Sequence, residues 1–244
     1  MSRLSSILLI AVALLITVTS CRKPMVHGHG PQKSEDRQLS GSFSHIEIQA
    51  PVDATIRVVP GAAPAINLNG FANVLPYIKL KVENDVLKIY VDNEVHIHSK
   101  KKTVATITLP SLAGLEIAGS SDAAIAGNVT GNELKIDLAG SASITIDSLN
   151  VTLLDVDMAG ASDITINSGS TPTTSYDIAG SGNINAFNLL TKDTEIEISG
   201  SGKAEVNATS KLDVSVGGSG NVLYKGNPVI TKDIAGSGSI EAAN

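Results

Sequence analysis

The chain has 244 residues and a net charge of −6, from 18 basic and 24 acidic side chains, so nothing in its charge favours a nucleic-acid partner. Aromatic residues make up only 3% and tryptophan is absent, which leaves a carbohydrate groove without its usual stacking platform. A single cysteine rules out an internal disulfide framework.

Met1-Ser-Arg3 and the apolar run Leu4–Val18 form a short basic start and a hydrophobic segment of about fifteen residues. That is too short to favour a spanning helix and suits a signal peptide. Small residues then lead into a cysteine, Val18-Thr19-Ser20-Cys21, and this resembles the lipobox of bacterial lipoproteins. The resemblance implies a lipoprotein signal peptide over 1–20, acylation of Cys21 (palmitate-type chains) and a mature chain starting there. An ordinary cleaved signal with an incidental cysteine is the alternative. Several acyl chains anchor a protein stably where one does not. Arg22-Lys23-Pro24 puts no aspartate after the cysteine, which points to the outer membrane and leaves open whether the protein faces the periplasm or the exterior.

Residues 21–42 are rich in Pro, Gly, Ser, Gln and charge without an apolar period, and predict a flexible tether. From Phe43 the pattern turns to strand, over 43–49, 55–59, 65–68, 77–82, 86–91 and 104–109, with Asn84-Asp85 placed as a hairpin turn. Whether 43–110 forms early irregular coils or a separate capping sheet stays open; the lack of a linker before Leu115 favours one body.

The remainder, 111–244, repeats. Glycines recur at Gly119, Gly140, Gly160, Gly180, Gly200, Gly218 and Gly236, with gaps of 21, 20, 20, 20, 18 and 18. Each stands in a phrase such as Ile178-Ala-Gly-Ser-Gly182. A fixed period of about 20 residues marks a solenoid whose coils bury their apolar faces only against their neighbours. Counting from the glycine, positions −4, −2, +4 and +6 are mostly aliphatic and −3 and +3 mostly polar, so each coil offers a strand, a bend and a second strand. This predicts an all-β parallel β-helix with coils of about 20 residues. A left-handed hexapeptide solenoid is the competitor, but it needs an aliphatic residue every six positions, and here the strong mark comes once per coil.

The lipoprotein-like start, the strand opening at Phe43-Ser-His-Ile46, the segment Leu109-Pro-Ser-Leu-Ala-Gly-Leu115 and the tandem Ala-Gly-Ser-Gly-Asn units occur together. As a set they resemble the putative auto-transporter adhesin, head GIN domain family of bacterial envelope proteins, over roughly 43–240. The resemblance implies a right-handed β-helix shaped like pectate lyases, no recognised catalytic set and an adhesive role. Gly182-Asn-Ile-Asn185 and Gly220-Asn-Val222 fit its motif, whereas other repeats carry Ser, Asp or Lys at +3.

Four groups of side chains bear on chemistry. Asp137, Asp157, Asp177 and Glu197 at −3 would stack on successive coils. Unit charges at about 4.8 Å repel by roughly 0.9 kcal/mol in water, so the row needs hydration, a bound cation such as Ca²⁺, or partial protonation. A solvated face that discourages lateral sheet association is the simpler reading, since the calcium-loop motif of β-rolls is missing. His27-Gly-His29 and His96-Ile-His98 each begin a metal site, but no third ligand stands near either in sequence, so no metal centre is expected. The repeated Gly-Ser-Gly lies between strands, not between a strand and a helix, so it is no phosphate loop. No Gly-x-Ser-x-Gly elbow is present, no histidine follows Gly114, and no arginine follows Lys102, so no catalytic residue is assigned.

The expected molecule is a non-catalytic, lipid-anchored envelope β-helix that acts by adhesion or envelope binding to a protein or glycan. A polysaccharide-acting enzyme, resting on fold analogy alone, and a purely structural envelope protein are the alternatives. The repeat runs to Ile240 without an amphipathic cap, and this predicts self-association through the solenoid end.

Overall fold

The computed structural model describes residues 24–92 and 95–243. The expected signal peptide and the lipidated Cys21 lie outside the described residues. Among those residues there is no α-helix, and a single 3₁₀ turn spans Leu75–Tyr77. The less regular half holds β1 (Met25–His27), β2 (Gln32–Arg37), β3 (His45–Ile48), β4 (Val52–Val58), β5 (Ala65–Phe71), β6 (Ile78–Glu83), β7 (Val86–Val91), β8 (His96–His98) and β9 (Thr103–Leu109). The repeats follow as β10 (Gly114–Gly119), β11 (Ala123–Gly140), β12 (Ser143–Gly160), β13 (Asp163–Ile166), β14 (Gly169–Gly180) and β15 (Asn183–Gly200). They end in β16 (Lys203–Gly218), β17 (Asn221–Lys225), β18 (Val229–Gly236) and β19 (Ser239–Ala242). Several of these strands bend around a corner of the coil.

The repeats form a β-solenoid of about six turns, and every coil-to-coil pairing from β10 to β19 is parallel. Equivalent phrases lie directly over one another: Gly119 pairs with Gly140, then Gly160, Gly180, Gly200, Gly218 and Gly236. The amide after each glycine donates to the glycine carbonyl one coil back, as from Ser141 N to Gly119 O and from Ala161 N to Gly140 O, both at 2.8 Å. All seven glycines hold φ between +120° and +143°. From Gly140 onward, a Cβ on any of them would lie 2.1–2.4 Å from that same carbonyl oxygen. Backbone geometry and close approach therefore demand glycine together.

The predicted inward columns are buried as aliphatic ladders. Ile117, Ile136, Leu138, Val156, Ile178, Ile196 and Ile198 line one side of the coil, and Ile125, Ile144, Ile146, Ile164, Ile166 and Ile184 the next. Position +2 also faces inward, and it is kept small: a Cβ on Gly202 would strike Ile178 Cγ2 at 2.8 Å. Buried Ser121 occupies this row and bonds the backbone, donating to Ala50 O at 2.9 Å and accepting from Val52 N at 3.3 Å. A third side, around 128–131, 148–151 and 189–191, has no counterpart in the two-strand expectation. Register shifts between Ile125 and Asn128, between Asn185 and Leu190, and between Thr191 and Asp193 fall at this side or its corners. They absorb the changes in repeat length from 21 to 20 and from 20 to 18. Here the core also turns polar. Thr174 Oγ1 donates to Thr194 Oγ1 at 3.0 Å, and the Thr191 and Thr194 hydroxyls are 2.7 Å apart. Tyr176 is buried beside Thr174, yet its Oη has no hydrogen bond of good geometry.

The open question about 43–110 resolves in favour of one body. β3 pairs in parallel with β10, and β4 with β11, so the two form a coil continuous with the repeats. The chain then doubles outward. β7 and β9 pair with the far sides of β3 and β4, and antiparallel β6 and β5 cover β7 and β9. Asn84 and Asp85 turn the β6–β7 hairpin expected there, and their φ values of +49° and +67° are those of a primed turn. The tether expectation fails over much of its length. β2 pairs antiparallel with β5 as the outermost strand, and β1 pairs with β8. Most of β2 is exposed, so its Gln-Lys-Ser-Glu-Asp-Arg sequence carries no apolar period although it is strand; charge there blunts a sheet edge. At the other end, β18 leaves Val229 75% exposed.

Gly160→Ala is expected to lower stability in urea unfolding by roughly 2–5 kcal/mol, from backbone strain plus overpacking. Gly217→Ala is the control. Its nearest obstacle is Ile198 O at 3.9 Å and most other coils carry alanine at that position, so it should be neutral or stabilise by about 0.5–1 kcal/mol. Tyr176→Phe, which removes a buried hydroxyl lacking a good partner, should hold or raise stability by up to about 1 kcal/mol.

Candidate functional site

Because like positions stack, each outward position becomes a row. On the side that ends in the glycine kink, position −3 places Glu116, Asp137, Asp157, Asp177 and Glu197 in consecutive register. The four acidic residues expected to stack do stack. The row extends further than the repeat suggested, because Glu47 pairs with Glu116 and Lys88 with Glu47. The signal for Glu47 was present, since Ile46-Glu-Ile48 copies Leu115-Glu-Ile117.

Two lysines answer part of the charge. Lys135 Nζ lies 3.0 Å from Asp157, 3.5 Å from Asp137 and 3.6 Å from Asp155, and Lys88 Nζ lies 2.9 Å from Glu47. The hydrogen bond from Lys135 to Asp157, with Asp137 beside it, raises the ammonium pKa well above its ordinary value. Between these lysines the carboxyls crowd. Glu116 is pushed above its ordinary 4.5 by partial burial, then by Glu47 and Asp137. Asp137 is pushed up by burial and by its contact with Asp157, against the pull of Lys135. Among the described residues no three His, Cys, Asp or Glu side chains are placed to share a metal ion, so the geometry adds nothing to the calcium reading of the row.

Alongside the acidic row runs a groove of about 330 Å³, with Ala139, Ala159 and Ala179 on its floor and Glu116, Asp137, Asp157 and Asp177 at its edge. These alanines are the −1 residues, next to the kink, and they are exposed because they point outward. The next side carries a second cleft of about 480 Å³ with Ser143, Thr145, Asp163, Thr165, Asn183 and Asn185 along it. Its amides bond along the row, Asn183 Nδ2 donating to Asp163 Oδ1 at 2.6 Å. One side is thus methyl-floored and acidic, the other amide and hydroxyl.

Histidine placement departs most from expectation. β1 and β8 pair in parallel with His27 opposite His98 and Met25 opposite His96, so the two His-x-His motifs meet. His45 lies elsewhere, over Gly114, where a Cβ would strike its ring at 2.3 Å. There Ser44 Oγ donates to Asp85 Oδ2, and His45 Nδ1 sits 3.1 Å from Ser44 Oγ and 3.3 Å from Asp85 Oδ2. Serine and aspartate both use the same ring nitrogen, so no proton relay runs from one through the imidazole to the other. The cluster ties the β6–β7 turn to β3.

This combination of a glycine-kinked β-solenoid and an N-terminal part folded back over its first coil defines a class of parallel β-helix. The chain belongs to the putative auto-transporter adhesin, head GIN domain family, whose profile matches residues 42–228. Among solved structures it is similar to a putative adhesin from Bacteroides fragilis, at 26% identity and a TM-score of 0.81, over 89% of this chain and 99% of that one. It is also similar to a putative lipid binding protein from Parabacteroides distasonis (26% identity, TM-score 0.73, 90% and 100% covered). A putative adhesin from Parabacteroides merdae, at 21% identity and a TM-score of 0.72 over 91% and 100%, shares the fold. No curated protein matches the chain. Among the described residues no helix is long and apolar enough to cross a membrane.

Ionising Glu116 costs the folded state free energy, because its pKa there lies above the unfolded value. The cost is present at neutral pH and is relieved as pH falls through the raised value toward 4.5 and below. Glu116→Gln should therefore raise the melting temperature at pH 7 by roughly 1–3 °C, a size set by solvent screening, and the gain should vanish below pH 4.5.

Proposed function

We propose that this protein is a non-catalytic, envelope-anchored adhesin that binds an extended glycan or protein segment along the alanine-floored groove. The observation that carries this is the groove itself: an exposed line of methyl groups, repeating from coil to coil and bordered by a fixed row of carboxylates. Such a strip favours an extended ligand that presents apolar and hydroxyl or basic groups at intervals. Each contact is weak, and strength comes from repetition along the rod. Membership in a putative adhesin family and likeness to the putative adhesin from Bacteroides fragilis support the same reading. Lipid attachment at Cys21 would hold the rod at the outer membrane, with β1 and β2 carrying the chain directly into the solenoid body.

A second reading draws on the same groove. The Parabacteroides distasonis neighbour is a putative lipid binding protein, and the methyl floor would accept an acyl chain as readily as the apolar face of a sugar. The two readings separate by ligand class.

The full chain in detergent should bind members of a glycan and matrix-protein array, and Ala159→Arg, which fills the groove at an exposed position, should abolish that binding without changing the melting temperature. Capture of fatty acids or phospholipids alone, lost in the same variant, would establish the lipid reading. Array binding unaffected by Ala159→Arg would remove the groove from the account.

A further inference from the structure

The β1–β8 ribbon lies apart from the large sheet, and the adhesive reading gives it no role. We propose that His27 and His98, facing each other across this ribbon with Met25 and His96 two positions along it, form a surface site for copper.

The ribbon's geometry sorts its side chains by alternation. Val26 and Ile97 pair in register and pack against the core. Their neighbours Met25, His27, His96 and His98 therefore all face the other way, and all four are exposed. The His27 and His98 ring centroids are 5.5 Å apart at an interplanar angle of 75°. Imidazole nitrogens bind at about 2.0–2.1 Å from a metal, so two ligand nitrogens stand up to about 4 Å apart, within reach of this pair by side-chain rotation alone. The backbone beneath is held on both sides of the pair: Gly28 N donates to His98 O and His96 N to Pro24 O, both at 2.9 Å. His29 is differently engaged, its Nδ1 lying 2.8 Å from His27 O and 3.1 Å from Asn73 Nδ2.

Among the described residues no three His, Cys, Asp or Glu side chains already converge. The site is therefore a two-imidazole clamp that water completes, with the His96 imidazole and the Met25 thioether available as further ligands. That donor set selects the metal. Imidazole suits zinc, nickel and copper, copper heads the affinity order for divalent first-row ions, and the soft thioether would add a ligand for the cuprous state. No carboxylate is required, which sets this site apart from the acidic row.

The test uses the full chain in detergent, free of any histidine tag and carrying Cys21→Ser so that its thiol does not compete. Titration with Cu²⁺ should show one tight site, with spin-resonance lines from two imidazole nitrogens. His27→Ala and His98→Ala should each weaken it about tenfold or more and leave one nitrogen, while His29→Ala changes affinity less than twofold. Circular dichroism and melting should be unchanged, because all of these side chains stand outside the core. His27→Gln provides a second variant if His27→Ala disturbs the ribbon, with the same loss expected. Absence of saturable Cu²⁺ binding, binding indifferent to both His27 and His98, or tighter binding of Zn²⁺ than of Cu²⁺ would each overturn the proposal.

Discussion

The contact between each glycine and the carbonyl one coil back sets the pitch and register of the whole rod. With φ near +130° the backbone turns a corner there, which leaves no room for a side chain above the preceding carbonyl. The next amide is then free to bond that carbonyl at 2.8 Å. Repeated six times along the seven glycines, this puts like residues over like residues. The aliphatic ladders, the buried serine and threonine bonds and the outward rows all follow from that register.

Register has an electrostatic consequence. A residue type favoured at one outward position recurs on every coil, so charge accumulates in rows about 4.8 Å apart instead of dispersing. The acidic row is kept tolerable by exposure to water and by two lysines, Lys88 toward one end and Lys135 in its middle. The alanine row adjoins the kink, and it becomes a surface feature because it repeats from coil to coil. A groove long enough to hold an extended ligand thus arises from one small, outward-facing residue on each successive coil.

The N-terminal half solves a different problem, which is how to begin a parallel stack. A parallel edge left open would recruit further strands. Here the chain lays its first coil inside, returns over the outside, and finishes that edge with antiparallel β5, β2 and β6. This doubling back also carries residues near position 25 to residues near position 97. The two histidine motifs become one surface through topology alone.

Much was legible without coordinates. The Gly-Ser phrases gave the period, and strand alternation gave the inward columns, because solenoid burial depends on local spacing that sequence displays directly. The stacking of Asp137, Asp157, Asp177 and Glu197 followed from the same period. What sequence could not show was anything governed by long-range pairing. The third side of the coil lacks a regular pattern because insertions and bulges gather there. β2 looked like tether because an exposed edge strand need not alternate, and Glu47 joined the acidic row only when β3 was placed beside β10. The repeat by itself determined the rod, since each coil's environment is a copy of its own sequence. The ends of the sheet, the cover over its first coil and the meeting of His27 with His98 were decided by tertiary structure, because strands distant in the chain had to find a common edge.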